Sequence, residues 1–200
     1  LGGSLRQAEA ISDECAEIVP PEANVTTLRV TNGSLAYGLV EAIRDGDLLA
    51  IRDAQPEAQR GHAHMVSNFE DPTDELRVGR FGWKAQLPTI LSFSADAANQ
   101  ELGFTTRLLE NENPQRGDAD LLADCDMVAD PEDTEDDAGV DFLDRVTDFQ
   151  RFLAAPPQMP AAGMSGEAVF AAAGCSTCHT PQFVTSTDAS LEESLRGKTI

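Results

Sequence analysis

Two cysteines and a histidine lie together near the C-terminal end of the sequence, in the segment GCSTCHTP at 174–181. Cys175 and Cys178 are separated by two residues, and His179 follows directly. Three chemistries use a C-x-x-C pair. A redox dithiol needs only the two sulfurs, a zinc site needs two more ligands, and a c-type haem needs the adjacent histidine. The neighbouring residues must therefore decide which chemistry applies.

These neighbours favour haem. The Ala-rich segment GEAVFAAAG that precedes Cys175 reads as a short helix, whereas a thioredoxin-like dithiol follows a strand. A zinc site would need a second C-x-x-C or a histidine pair, and the one such pair, in GHAH at 61–64, lies over a hundred residues away. We predict that Cys175 and Cys178 attach haem c covalently and that His179 is an axial ligand of its iron, with zinc and a dithiol as alternatives.

The composition excludes some partners. Fourteen Lys and Arg against 35 Asp and Glu give a formal net charge of -21. Such a charge repels nucleic acid and anionic lipid and favours basic proteins or cations. No apolar run is long enough to span a membrane, and the first residues lack the pattern of a signal peptide.

Apolar periodicity predicts the helices that position these residues. YGLVEAIRDGDLLAIRD at 37–53 predicts two short helices with a break at Gly46. LPTILSFSADAANQELG predicts a helix from Pro88 to about Leu102, and VDFLDRVTDFQRFLAAPP predicts a helix with one apolar face. The intervening residues 54–80 read as loop.

An acidic segment, DADLLADCDMVADPEDTEDDAG at 118–139, separates the two longer helices. Such a run is usually a solvated loop. Calcium is a possible ligand, although the order of oxygens found in an EF-hand is absent. Cys15 and Cys125 could form a disulfide, and the sequence leaves their pairing open.

A Pro- and Gly-rich stretch, APPQMPAAGMSG at 155–166, marks the best domain boundary. We therefore predict domains at 1–155 and 156–200. Four methionines, Met65, Met127, Met159 and Met164, need no role beyond packing, and His62 and His64 read as loop residues.

Three segments resemble one family. GRFGWKAQLPTILSFSADAANQELGFT, CDMVADPEDT and GEAVFAAAGCSTCHTP are similar to the bacterial di-haem oxidoreductases, relatives of the di-haem cytochrome c peroxidases that are sometimes labelled thiol oxidoreductases. The resemblance implies a mainly α fold of cytochrome c-like domains, of which this chain is a fragment. It places a first C-x-x-C-H, and a second haem, upstream of residue 1. Residues 1–155 would then be the latter part of the first domain with the inter-haem region, and residues 156–200 the start of the second.

The resemblance also implies roles for Trp83 and Glu101. Trp83 would carry electrons between the haems, and Glu101 would be the acid-base group beside a bound peroxide. The alternatives without a catalytic role are a core or interface aromatic for Trp83 and a solvated side chain near a helix end for Glu101. The implied function is peroxidase-like reduction of an oxidant in the periplasm, with a small, basic redox protein as electron donor. The alternative is an electron-transfer cytochrome without catalysis.

Overall fold

The structure is a computed structural model that describes residues 5–7, 9–28, 30–73, 75–114, 117–156 and 166–200. The described chain is mainly helical, as predicted. Its helices are α1 (Tyr37–Glu41), α2 (Asp45–Ala54), α3 (Ile90–Ala97), α4 (Ala119–Cys125), α5 (Phe142–Phe152) and α6 (Gly166–Ala172). Two short strands, β1 (Met65–Val66) and β2 (Arg77–Val78), pair antiparallel with Met65 opposite Val78. Within these residues, no helix is long and apolar enough to cross a lipid bilayer.

The chain divides into two compact units, and each is built from two separate stretches of sequence. The first unit contains the residues up to Asn32 together with Leu91–Asp148. The second unit contains Gly33–Ile90 together with Phe149–Ile200. Most of the predicted linker at 155–166 lies outside the described residues. The domain boundary therefore stays a prediction.

A buried arginine fixes the connection between α1 and α2 in the second unit. The side chain of Arg80 is only 4% exposed and pairs with Asp45, the first residue of α2. Asp45 also accepts hydrogen bonds from the Arg77 guanidinium and the Val78 N–H, both at 2.9 Å. The Arg80 guanidinium also donates to three backbone carbonyls, those of Val40, Glu41 and Ile43.

These contacts explain why the break between the first two helices differs from the prediction. The sequence placed the break at Gly46, but Gly46 is the second residue of α2 and the break lies at residues 42–44. The Ala42 N–H closes α1 by donating to the carbonyls of Gly38 and Val40. The ion pairs of Asp45 then fix the start of α2 one residue before the glycine, so tertiary contacts override the low helix propensity of glycine.

The acidic segment is more ordered than a solvated loop. It contains α4, whose first turn is capped by the Asp118 carboxylate, which accepts from the Leu121 N–H at 3.1 Å. Asp133, only 6% exposed, accepts from the N–H groups of Phe142 and Leu143 at 2.8 and 2.9 Å. These are first-turn donors of α5, which otherwise have no partner within the helix. The loop prediction was therefore wrong for α4.

A disulfide closes the first unit. Cys15 and Cys125 are bonded, with their Cα atoms 5.9 Å apart and a sequence separation of 110. Both are buried. The pairing that the sequence left open is thus present in the structure.

The two longer helices have the predicted extents but bury unexpected residues. In α3, Ser92 and Ser94 are buried along with Ile90. In α5 the side chains of Phe142, Phe149 and Phe152 are 44%, 66% and 50% exposed, while Leu143 and Thr147 are the buried residues. The predicted apolar face of α5 therefore buries Leu143 but leaves its phenylalanines exposed.

Candidate functional site

The C-x-x-C-H motif forms a tight turn directly after α6, in the second unit. Gly174 ends the helical run in the left-handed conformation, with a φ of 78°, which costs glycine little. A 3₁₀ turn, Cys175–Thr177, follows. The N–H groups of Cys178 and His179 both donate to the Cys175 carbonyl, at 3.2 and 3.0 Å. Both cysteines and the histidine are thereby held within a single turn.

The three side chains are accessible. Cys175 and Cys178 are free thiols on the surface, and His179 is exposed as well. The ring of Phe170 in α6 meets the imidazole of His179 edge to face, with centroids 6.0 Å apart. This contact is the main local constraint that the structure shows on the orientation of the histidine ring.

The surroundings of the motif fit a haem. Two thiols and an imidazole provide the donor set for two thioether bonds and one axial ligand. The side chains of Val169 and Phe170 are 64% and 40% exposed on the helix that leads into the motif. The apolar ring of a haem bound at the motif would cover these two exposed apolar side chains.

The two alternatives fit less well. Among the described residues, the three donor atoms of this motif do not converge as zinc ligands would, because the one set of three within 4.8 Å lies elsewhere. His62 is exposed, and His64 hydrogen bonds through Nδ1 to the Lys84 carbonyl at 3.1 Å. A dithiol of the thioredoxin type would follow a strand, but α6 precedes Cys175.

Trp83 lies in the second unit, as the motif does. It occupies the turn between Phe81 and Leu87, which form an isolated bridge. Its side chain is 54% exposed. Trp83 is therefore not a core residue, and its ring is accessible for contact with a further group.

Glu101 lies in the first unit, in a π-helical turn that continues α3 over Ala98–Leu102. The turn ends at Gly103, whose φ is 62° and whose N–H donates to the carbonyls of Ala98 and Asn99. The Glu101 side chain is exposed. Such π-helical turns inside α-helices are rare and are frequent at functional sites.

Asp96, one residue before the end of α3, is a second carboxylate in this region. Its side chain is half-buried, and its pKa is raised above the ordinary value, first by burial and then by the negative charge of Glu101. The two carboxylates therefore act on each other electrostatically.

A third group of carboxylates lies in the first unit. Oxygens of Glu112, Asp130 and Glu132 come within 4.8 Å of one another. Thr105, fully buried, holds two of them: its N–H donates to Glu132 at 2.9 Å and its hydroxyl donates to Asp130. Burial, followed by the charges of Asp126, Glu132 and Asp130, raises the pKa of Glu112 to about 7.

This carboxylate trio borders a cavity of about 460 Å³, to which Glu112 and Glu132 contribute. The disulfide and the end of the π-helical turn also line it. None of the described lining residues is a Lys or an Arg. Within the described part of the chain, carboxylates of this wall thus have no Lys or Arg beside them in the cavity lining.

A family model described as "Di-haem oxidoreductase, putative peroxidase" matches residues 17–198. The chain belongs to the di-haem oxidoreductase family. Comparisons with curated proteins and with solved structures found no match. Membership of the family confirms the resemblance that the sequence analysis stated and indicates haem as cofactor.

Some polar residues of this di-haem oxidoreductase escaped the sequence analysis. Asp96 stands in a helix that looks apolar in sequence, and Glu112 stands in a polar loop, so nothing local marks either one. The one feature of the sequence that could have drawn attention to Asp96 is its position five residues before Glu101. The partners of Glu112 are 18 and 20 positions away in sequence, and only the folded chain brings them to it.

Proposed function

We propose that the chain is part of a periplasmic c-type di-haem oxidoreductase that reduces a peroxide-type oxidant. The observation that carries this proposal is the exposed turn of Cys175, Cys178 and His179, in a chain that belongs to the family. The thiols would form the thioether bonds and the His179 imidazole would bind the iron. The sequence contains one C-x-x-C-H motif, which would hold one of the two haems.

Covalent attachment is tested by replacing both cysteines of the motif with alanine in protein made with a cytochrome c maturation system. The matched control replaces the other pair, Cys15 and Cys125, which is bonded in the first unit. We expect the haem stain on a denaturing gel to drop by one haem in the motif variant and to persist in the control. Undiminished staining of the motif variant would show that Cys175 and Cys178 do not carry haem.

The bound haem supplies one-electron chemistry at its iron, and the chain supplies protons and an electron path. Glu101 is the proposed proton carrier, because its carboxylate is exposed at a π-helical turn and free to meet an oxidant. Trp83 is the proposed relay for electrons, because its ring is accessible and lies in the same unit as His179.

Two substitutions separate catalysis from simple electron transfer in the complete two-haem protein. Glu101→Gln preserves shape and removes the proton carrier, so peroxide turnover should fall roughly 10²-fold while the haem spectrum is unchanged. Glu110→Gln, an exposed carboxylate in the same unit, is the control. Trp83→Phe should slow electron exchange between the haems and spare peroxide binding. Full activity of Glu101→Gln would favour the non-catalytic electron-transfer cytochrome.

Charge and redox state support the proposed compartment and donor. A buried disulfide is typical of an oxidising compartment such as the periplasm. The net charge of -21 favours a small basic redox protein as donor, whose association would be steered by charge. Its second-order rate constant for reducing the protein should fall as ionic strength rises. A rate that does not change with salt, for each of several small basic cytochromes, would contradict this class of donor.

A further inference from the structure

We propose that the cavity beside the carboxylate trio is the docking surface for the small basic redox protein that donates electrons. This inference rests on the proposed function, which supplies the class of donor. It adds the place where the donor binds and the two kinds of contact that hold it there. All of the residues that line the cavity belong to the first unit.

The cavity has an apolar wall that is open to solvent. Ile11, Met127 and Val128 line it, and each has more than half of its surface exposed. A single apolar residue on a surface needs no explanation, but several that share one concave surface indicate that another molecule binds there.

A covalent bond holds this wall together before any donor arrives. The Cys15–Cys125 disulfide lines the cavity and joins the segment that carries Ile11 to the segment that carries Met127. A surface that is already formed loses less conformational entropy when a partner binds. The cavity is therefore suited to rapid, repeated association.

Negative charge lies on the same surface. Five carboxylates line the cavity: Glu9, Glu17, Glu112, Asp126 and Glu132. None of the described lining residues is a Lys or an Arg. Oxygen Oε2 of Glu17 is buried and has no hydrogen-bond partner among the described residues, so the wall contains an acceptor that this part of the chain does not use.

A basic protein surface complements both features. The long side chains of Lys and Arg can pack their apolar stems against the apolar wall while their charged ends meet the carboxylates. Charge attraction then raises the rate of association, and the apolar contact slows dissociation. A cavity of about 460 Å³ accommodates a few side chains, which matches the small interfaces of transient electron-transfer complexes.

The first test measures charge attraction in the full-length, haem-loaded protein. A reduced small basic c-type cytochrome is the probe, and stopped-flow absorbance gives its second-order rate constant for reducing the protein. Glu9→Gln with Glu112→Gln should lower this constant roughly fivefold at low ionic strength and weaken its dependence on salt. Glu110→Gln with Asp124→Asn changes the net charge equally at exposed positions of the same unit outside the cavity lining, and should have a much smaller effect.

The second test measures the apolar contact. Val128→Ser should raise the dissociation constant of the donor complex about fivefold without changing the dependence on salt, because the lost contact carries no charge. Val25→Ser is the matched control: Val25 is also strongly exposed and belongs to the same unit, but it does not line the cavity. Equal effects of the two substitutions would contradict the proposed contact.

The third test locates the donor without kinetics. In hydroxyl-radical footprinting of the full-length protein, Met127 should react when the protein is alone and become protected when the donor is added. Leu28, which is fully exposed and lies outside the cavity lining, should react equally in both samples. If Met127 is unreactive even without donor, the protein's own chain covers the cavity and the docking surface is refuted.

The outcomes separate the docking surface from the proposed function. If the cavity variants and their controls are reduced at the same rate while the dependence on salt persists, the docking surface is refuted and the class of donor stands. If no small basic cytochrome reduces wild type, the class of donor fails and the docking surface fails with it. Peroxide turnover supported by a small neutral reductant tests the catalytic proposal separately and should be the same in wild type and in the cavity variants.

Discussion

Replacing Glu112 with glutamine should make the protein more stable at pH 8, with little effect at pH 5. The carboxyl group of Glu112 has its pKa raised from 4.5 to about 7 by burial and by Asp126, Glu132 and Asp130. Between these two values the folded protein binds more protons at this group than the unfolded protein does. The free energy of unfolding therefore falls as pH rises through this window, and the penalty is complete above pH 7.

The structure bounds the size of the effect. A rise in pKa from 4.5 to about 7 would correspond to roughly 3 kcal/mol if the whole of it opposed folding. Glu112 is only partly buried, so solvent screens the repulsion and we expect about 1 kcal/mol. Glutamine keeps the volume and removes the charge. It should therefore recover about this amount at pH 8.

The assay is urea unfolding at pH 5 and at pH 8, followed by far-ultraviolet circular dichroism. Glu110→Gln is the matched control, because Glu110 is exposed and lies outside the carboxylate trio. A second series adds calcium at pH 8. Stabilisation of wild type by calcium, absent in Glu112→Gln, would show that a cation neutralises the trio there. If wild type and Glu112→Gln had parallel stability curves between pH 5 and pH 8, the reasoning about Glu112 would be wrong.

Three further predictions use the same unfolding assay. Asp45→Asn should cost about 3 kcal/mol, because it leaves the buried Arg80 guanidinium without its carboxylate, whereas Asp47→Asn, in an exposed pair with Arg44, should cost under about 1 kcal/mol. Asp133→Ala should cost about 2 kcal/mol by removing the cap of α5, and Asp133→Asn should cost less because it keeps one acceptor. Reduction of the single structural disulfide should cost about 3 to 5 kcal/mol, and equal stability with and without reductant would contradict this.

The extents of the longer helices could be predicted because their limits are local. Pro88 and Gly103 bracket α3 with its π-helical turn, and Pro156 follows α5 closely. Each limit depends on the φ angle or the missing N–H of one residue, which is a property of the sequence itself.

The buried face of α5 could not be predicted in the same way. Periodicity shows that Phe142 and Phe149 share a stripe, but burial depends on what packs against the helix. In the structure Leu143 and Thr147 are buried, while Phe142 and Phe149 stay exposed. The cap of α5 has the same difficulty, since Asp133 lies nine residues before Phe142 and reaches it only through the turn between them.

The residues of the candidate site differ in the same way: some are neighbours in sequence, and others are brought together only by the fold. The C-x-x-C-H motif occupies five consecutive residues, so the sequence alone predicts that its donors lie close together, and their role as haem ligands stays a prediction. The raised pKa of Asp96 depends on its burial in the folded chain, and that of Glu112 depends on two loops that come together. Neither burial nor the meeting of loops leaves a recognisable pattern in the sequence.

The distribution of cations connects the carboxylate groups with the proposed partner. In the part of the chain that the structure describes, seven arginines form ion pairs with carboxylates: Arg44, Arg52, Arg77, Arg80, Arg107, Arg145 and Arg151. The sequence has 14 Lys and Arg against 35 Asp and Glu, so carboxylates outnumber the cations even before these pairs are taken into account. The remaining acids must be neutralised by protons, by cations from solution or by a basic partner. The pKa of Glu112, raised to about 7, is an example of the first inside the protein, and the basic electron donor proposed above would supply the last at its surface.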